Sequence, residues 1–295
     1  MNDKKFDEIS TKLMFKQFVN QFYNQTFLKD AALTDIVEKE KFKSDMLIGI
    51  DKLYDVRDKY KNRPALIMAL GPSLLEIDKE KYKDHLKITC NHFYRVPDFF
   101  DDPFKPDVWC AANSLSELEE PFKICLQRDI EAFITIPIRT EFNSLLEIAR
   151  KENKMNIVIP WLWEQRLFQN LLADKFGVKK IYSRCNTITN HMIAYALYLG
   201  CNPIVITGFD LSYKKALEKY GITHAGFSDN QRALDMGLDI DAFDNPQEKQ
   251  QILHDLGYMC HLAKASNQTI LNLSHESNGL PLELTEKFSW TAPTT

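Results

Sequence analysis

Residues 65–78 read ALIMALGPSLLEID, an apolar run that ends in Gly71-Pro72-Ser73-Leu74 and leads into a charged segment. Six consecutive apolar residues are typical of a strand that is buried on both faces of a sheet. Gly71 lets the backbone turn sharply and approach a ligand closely. The turn also has a plainer interpretation, in which Ser73 caps a helix after the strand. It matches neither a Walker loop nor GxGxxG, so the tetrapeptide alone leaves both interpretations open.

Six further apolar runs follow the first one along the chain. They are LKITCN (86–91), DVWCAA (107–112), AFITIP (132–137), NIVIP (156–160), NPIVITG (202–208) and QTILNLS (268–274). Helical patterns lie between them at 114–129, 189–200 and 245–267. Apolar strands that alternate with helices predict an α/β fold with a doubly wound, mostly parallel sheet. Such sheets bind ligands at the carboxyl ends of their strands.

The distribution of residue types divides the chain into two regions. Residues 1–62 contain no proline and a single glycine, Gly49. Their apolar residues recur at helical spacing. We interpret them as an N-terminal helical region that serves as a packing appendage or an oligomer contact. Residues 63–295 form the predicted ligand-binding domain. Within it, the polar stretch at about 211–244 interrupts the strand–helix rhythm and is predicted to be a lid over a site.

Composition limits the classes of function. The 295 residues are 44% hydrophobic and 26% charged, as in a globular protein. A net charge of -4 with interspersed signs argues against nucleic acid as a partner. No apolar run approaches the roughly 20 residues of a membrane span, and the first residues lack the apolar core of a signal peptide, so we expect a cytoplasmic protein. The six cysteines form no CxxC pair, so we expect reduced thiols and no metal site.

Polar residues follow several predicted strands directly. Asn91 ends the second strand, Asn113 ends the third, and Gly208 and Asp210 end the strand NPIVITG. A side-chain amide can both donate and accept, which suits the edge of a base or a sugar hydroxyl. Asn113 also fits a helix cap. Because parallel strands end at one edge of a sheet, these groups predict a shared crevice with the Gly71 turn.

The predicted lid contains three further candidates, Tyr213, Tyr220 and His224. Tyrosine hydroxyls can donate hydrogen bonds to phosphate oxygens. A histidine can act as a general base near neutral pH. Each of the three residues taken alone also fits a packing role.

Four ordered blocks resemble a known family. GPSLLEID (71–78), CNHFYR (90–95), NSLSELEE (113–120) and LYLGCNPIVITGFDLSY (197–213) resemble the bacterial sialyltransferases of glycosyltransferase family 42. They also resemble the wider DUF115 group, which includes the motility accessory factors that glycosylate flagellin. The resemblance spans residues 64–275 and leaves out residues 1–60.

The resemblance implies a Rossmann-like transferase that uses a CMP-activated nonulosonic acid, such as sialic acid, and needs no metal or other cofactor. The acceptor would be a surface glycan or a protein. It implies that the glycine turn and the asparagines hold the nucleotide part of the donor: Gly71, Ser73, Asn91 and Asn113. We include Pro72, Gly208 and Asp210 in the predicted nucleotide site, because they belong to the same turn and to the end of NPIVITG. Tyr213 and Tyr220 match the lid tyrosines that stabilise the departing phosphate in the family.

Two positions depart from the sialyltransferase pattern. The family has an asparagine before Gly-Pro-Ser-Leu where this chain has Leu70. The family's catalytic histidine lies in a segment that here reads MGLDIDAFDNPQE and has no histidine. The element GITHAG (221–226) resembles the flagellin-modifying branch instead, which makes His224 the candidate base.

Two alternatives to a glycosyltransferase stay open. Some DUF115 relatives resemble pterin diphosphokinases, which use ATP and magnesium and need clustered carboxylates. Here the strand ends offer mainly amides and hydroxyls, and the acids of the predicted lid, Asp235, Asp239, Asp241 and Asp244, are typical of a solvated loop. The other alternative is a catalytically inactive protein that binds a nucleotide. Self-association and peripheral membrane contact also stay open.

Overall fold

The computed structural model describes residues 53–96, 104–111, 115–136, 157–160, 172–178, 187–226, 246–274 and 283–287. Each of the seven apolar runs corresponds to a strand. The strands are β1 (Ala65–Met68), β2 (Leu86–Cys90), β3 (Val108–Ala111), β4 (Glu131–Ile136), β5 (Ile157–Pro160), β6 (Ile204–Thr207) and β7 (Ile270–Asn272). All neighbouring strands of this sheet run parallel.

The strand order is β5-β4-β3-β2-β1-β6-β7. From β1 the chain steps outward to β5 at one edge, and it then returns to the other side of β1 to form β6 and β7. Ala65 of β1 is therefore in register with Leu86 of β2 on one side and with Ile204 of β6 on the other. This order confirms the predicted α/β, Rossmann-like doubly wound sheet. It places the topological switch point between β1 and β6, where such sheets form a crevice.

Helical residues lie at 53–56 and 172–176, and six further helices complete the described residues. They are α1 (Lys79–Tyr82), α2 (Leu115–Gln127), α3 (Ile188–Tyr198), α4 (Tyr213–Tyr220), α5 (Pro246–Ala265) and α6 (Leu284–Lys287). The three predicted helical patterns correspond to α2, α3 and α5. The helix α4 was not expected, because the sequence pattern there is polar and irregular. A 3-10 helix, Pro72–Glu76, follows β1 directly.

The central strands of the sheet form a buried core. Every residue of β1, β2, β3 and β6 is buried. The helix α3 is buried from Thr189 to Tyr198, which accounts for its apolar residues on all sides. It contacts β1, β2, β3 and β6, so it lies over the middle of the sheet. Its first turn consequently lies close to the switch point.

Lysine 175 anchors the far end of α3. Its ammonium group donates to the carbonyl oxygens of Leu197 and Tyr198, and to Asp58 Oδ1, each at 2.7 Å. A cation at this end of a helix offsets the partial negative charge of the unpaired carbonyl groups. Burial lowers the pKa of Lys175, and the Asp58 carboxylate opposes that shift. The contacts fix α3 along its axis and so fix the position of its first turn.

Two predicted regions lie largely outside the described residues. They are residues 1–52 of the N-terminal region and residues 227–244 of the predicted lid. Both assignments stay predictions. Leu53 and Tyr54, which the sequence assigns to the N-terminal region, pack in the core of the domain. Among the described residues, no helix combines the length and the apolar character that crossing a membrane requires.

Candidate functional site

The carboxyl ends of β1 and β6 are joined by main-chain hydrogen bonds. Gly71 N–H donates to the Gly208 carbonyl oxygen at 2.7 Å, and Ala69 N–H donates to that of Thr207 at 2.9 Å. Gly208 has a φ of 69°, in the left-handed region, and a Cβ there would overlap the Ala69 carbonyl oxygen. A Cβ on Gly71 would overlap the Asp210 carboxylate and the Gly208 carbonyl. Only glycine therefore fits these two positions without displacing the neighbouring strand end.

Hydrogen bonds of Asp210 and two serines hold the ends of β1, β6 and β7 together and complete the wall of the site that the two glycines form. Asp210 Oδ2 accepts the Ser73 N–H at 3.1 Å. The hydroxyl groups of Ser73 and Ser274 lie 2.7 Å apart, and Ser274 Oγ accepts the Phe209 N–H at 3.1 Å. Gly71, and not Ser73, holds the N-cap position of the 3-10 helix, and it makes no side-chain cap bond. The interpretation of Ser73 as a helix cap is therefore wrong, because its hydroxyl is engaged by the end of β7.

Asn91 closes the site on the β2 side. Its φ of 44° lies in the left-handed region, which asparagine adopts more readily than most residues. Its N–H donates to the Cys110 carbonyl at 3.0 Å, and its own carbonyl accepts from Trp109 Nε1 at 2.9 Å. These bonds hold the residue in its unusual conformation. The Oδ1 atom of Asn91 is buried and finds no hydrogen-bond partner among the described residues.

His224 is held beside the end of β1. The Ala225 N–H donates to the Leu70 carbonyl oxygen at 2.7 Å. Gly226 has a φ of 83°, and a Cβ there would lie 2.8 Å from the Arg95 main chain. His224 Nδ1 lies 3.2 Å from Thr223 Oγ1. The part of the predicted lid that is described is thus packed closely against two loops of the domain.

The first turns of α3 and α5 form a second wall of the cavity. Thr187 caps α3, and its side chain accepts from the Asn190 N–H. Thr187, Thr189 and Ile188 line the cavity, together with Lys249 and Ile252 of α5. The amide groups at the start of a helix favour anionic ligands.

These walls enclose a cavity of about 350 Å³ at the switch point. Five of the predicted site residues line it: Gly71, Asn91, Gly208, Asp210 and His224. Pro72 and Ser73 are buried behind the wall instead. Asn113 lies outside the described residues. Within the described part of the chain, no group of three or more His, Cys, Asp or Glu side chains could hold a metal ion.

The two predicted tyrosines stand at opposite ends of α4. Tyr213 is the first residue of α4 and follows Ser212, which lines the cavity. Tyr220 is the last residue of α4 and does not line the cavity; the Lys219 ammonium lies 4.7 Å from its ring centroid. Partial burial raises the pKa of Tyr220. Lys219 also pairs with Glu76 at 3.2 Å, so this end of α4 is tied to the 3-10 helix after β1.

The residues of the α3–α5 wall were not expected from the sequence. Their segments, 189–200 and 245–267, were predicted as helices without a role in the site. A cap signal was available, because Thr187 precedes an apolar helical run. No local sequence signal predicts that Lys249 lines the same cavity, because its position depends on how α5 packs on α3.

The fold and the cavity define a Rossmann-like α/β domain with a cavity at its switch point. No protein-family model matches the chain, and no curated protein matches it. Among solved structures, it is similar to the sialyltransferase CstII from Campylobacter jejuni in complex with the substrate analogue CMP-3FNeuAc. The identity is 19%, the match covers 78% of this chain and 86% of that one, and the TM-score is 0.44.

Two further structures of that enzyme match to a similar degree. The complex of Campylobacter jejuni CstII with cytidine-5'-monophosphate is 20% identical over 79% of this chain and 86% of the other, with a TM-score of 0.43. A CST-II complex with a trisaccharide acceptor and CMP is 19% identical over 78% and 86%, with a TM-score of 0.41. Likeness at this level carries no argument about the activity of this chain.

Proposed function

We propose that the chain is a glycosyltransferase that transfers a nonulosonic, sialic-type acid from its CMP-activated donor to a glycan or protein acceptor without a metal. The observation that carries the proposal is the convergence of His224, Asn91, Gly71 and Asp210 on one cavity at the switch point. The resemblance of the four sequence blocks to sialyltransferases supports the choice of donor.

The glycine wall and Asn91 are suited to the nucleotide part of the donor. Gly71 and Gly208 allow the ends of β1 and β6 to approach each other closely, and both glycines line the cavity. Asn91 Oδ1 is a buried acceptor without a partner among the described residues, so it can take an N–H from a base or an O–H from a ribose. The cavity volume of about 350 Å³ lies within the usual range of about 300–1,000 Å³ for small-molecule sites.

His224 is suited to the role of general base. In the tautomer in which Nδ1–H donates to Thr223 Oγ1, the Nε2 atom keeps its lone pair. The acceptor hydroxyl oxygen attacks the anomeric carbon, and its proton passes to His224. The bond from the anomeric carbon to the phosphate oxygen breaks, and CMP leaves with the electron pair. Donors aimed at the phosphate stabilise this departure.

The roles of the remaining predicted residues stay proposals. Tyr213 and Tyr220 would donate to the departing phosphate, and Asn113 would contact the nucleotide. The position of Tyr213 next to Ser212 supports its proposed role. The position of Tyr220 beside Lys219, off the cavity, gives no such support.

Ligand-dependent thermal unfolding tests the choice of donor. The full chain is heated with CMP, CDP, ATP plus magnesium, or a pterin. A ligand that binds only the folded state stabilises it by about 2.7 kcal/mol at a concentration of 100 times Kd. We expect a specific shift with CMP. A shift only with ATP and magnesium would favour the pterin diphosphokinase alternative and contradict the proposal.

Turnover of CMP-sialic acid tests the base. A positioned general base typically contributes about 10²- to 10⁴-fold, so His224→Ala should slow donor turnover by that factor while CMP still stabilises the variant. His261→Ala is the matched control, because His261 is exposed on α5 and does not line the cavity. Unchanged turnover in His224→Ala would show that the base is another group. A wild-type chain that binds CMP but turns over no CMP-sugar would favour the inactive nucleotide-binding protein.

A further inference from the structure

We infer that Lys249 binds the phosphate group of the nucleotide in this cavity; the inference deepens the proposed function and rests on it. Lys249 lies in the first turn of α5 and lines the cavity. Apart from the buried thiol of Cys90, the ionisable side chains of the described lining are Asp210, His224 and Lys249. A lysine is positively charged at neutral pH, so among them it is the group suited to an anion.

Contacts between α3 and α5 place Lys249 in this wall. Asn190, fully buried in the first turn of α3, donates through Nδ2 to the Ile252 carbonyl oxygen at 3.3 Å. Its N–H donates to Thr187 Oγ1 at 3.2 Å. Ile252 follows Lys249 by about one helical turn, and both residues line the cavity. Lys249 and the first turn of α3 therefore border the same space.

The charge of Lys249 is not balanced by the described residues. Lys249 is half-buried, and no described residue forms an ion pair or a hydrogen bond with its ammonium group. Other shielded lysines of this domain are satisfied: Lys175 contacts Asp58 at 2.7 Å, and Lys87 contacts Asp107 at 3.5 Å. The first turn of a helix also disfavours a cation, because the helix dipole is positive there. A bound anion removes both penalties.

The distribution of charge in the cavity favours the phosphate over the rest of a nucleotide. Asp210 stands on the strand-end wall and repels an anion, whereas Lys249 and the start of α3 stand on the helical wall. A nucleotide therefore binds with its phosphate toward α3 and α5 and its uncharged base and ribose toward Asn91 and Asp210. In this orientation Lys249 also stabilises the negative charge that CMP gains as it leaves.

Paired binding measurements isolate the phosphate contact. The affinities of CMP and cytidine, and of AMP and adenosine, are measured by calorimetry for the wild-type chain, Lys249→Met and Lys215→Met. Lys215 is an exposed lysine of α4 that does not line the cavity, so its variant controls for the loss of net charge. We expect Lys249→Met to weaken CMP binding by about tenfold to hundredfold, as for a hydrogen bond to a charged group, and to leave cytidine binding unchanged.

The remaining outcomes are separable from the proposed function. A Lys249→Met variant that binds CMP like the wild type, or that loses CMP and cytidine equally, overturns the inference and leaves the proposed donor intact. If the wild type prefers AMP to adenosine but does not bind CMP, and Lys249→Met removes that preference, the donor proposal fails and the inference stands. A wild type that distinguishes neither nucleotide from its nucleoside overturns the inference. Urea denaturation checks folding, and Lys249→Gln replaces Lys249→Met if that variant does not fold.

Discussion

The close approach of β1 and β6 can be tested by adding one methyl group at Gly208. Gly208→Ala places a Cβ against the Ala69 carbonyl oxygen. Both strand ends are fixed by main-chain hydrogen bonds, Gly71 N–H to Gly208 at 2.7 Å and Ala69 N–H to Thr207 at 2.9 Å. Neither end can move without loss of these bonds. Gly221→Ala is the matched control, because Gly221 has a similar φ of 71° and open space around its Cβ.

The expected cost follows from two separate contributions. A left-handed conformation costs an alanine about 1–2 kcal/mol, and this applies to both variants. Overlap in a well-packed region adds about 1–3 kcal/mol at Gly208 alone. Gly208→Ala should therefore lower the free energy of unfolding by about 2–5 kcal/mol, and Gly221→Ala by about 1–2 kcal/mol.

Urea denaturation measures both free energies, and thermal unfolding with CMP reports on the site. Gly208→Ala should also lose stabilisation by CMP, because the strand end that lines the cavity is displaced. Gly221→Ala should keep it. Equal free-energy costs for the two variants would refute the reasoning, since the strand ends would then have room for a side chain.

Three further predictions concern the residues around the site. Ser274→Ala removes the buried partner of Ser73 Oγ and of the Phe209 N–H, so urea denaturation should show a loss of about 1–3 kcal/mol in the free energy of unfolding. This loss should not be additive with that of Ser73→Ala, and full additivity would mean that the two hydroxyl groups do not interact. Tyr213→Phe and Tyr220→Phe should each slow turnover of CMP-sialic acid, because both hydroxyls are proposed to donate to the departing phosphate; unchanged turnover in either variant would remove that tyrosine from the proposed site. Burial, followed by the Lys87 ammonium, lowers the pKa of His85. As the pH falls below about 6.5, the unfolded chain therefore takes up the proton before the folded chain does, and the free energy of unfolding decreases. His85→Gln should reduce this decrease in acid denaturation curves. An unchanged pH dependence of stability would contradict the prediction.

The sheet could be predicted from the sequence because its strands are buried on both faces. Runs such as ALIMAL and NPIVITG have no polar alternation, and the structure places strands within them. Their order in space could not be read from these runs, since pairing depends on packing over long distances. The polar residues after each run indicated one shared edge, and Gly71, Asn91 and Asp210 do meet there.

The ends of helix α4 carry sequence signals for a helix, although its hydrophobic pattern does not. Its residues are mostly polar, so periodicity did not separate it from a loop. Its ends were nevertheless marked: Ser212 caps the first turn, and Gly221 adopts the left-handed conformation that ends a helix. The helical wall of the cavity had no comparable signal, because Lys249 reaches it only through the packing of α5 on α3.

The hydrogen bond from Ala225 to Leu70 has a consequence for which residues position 70 can accept. It uses the carbonyl group of residue 70, at 2.7 Å, so the loop that carries His224 is fastened to β1 whatever side chain stands at that position. Residue 70 also lines the cavity. The side chain there can be exchanged, for example in Leu70→Asn, without releasing the histidine. Under the proposed function, a substitution at position 70 therefore changes the contact with the donor and leaves the main-chain bond beside His224 in place.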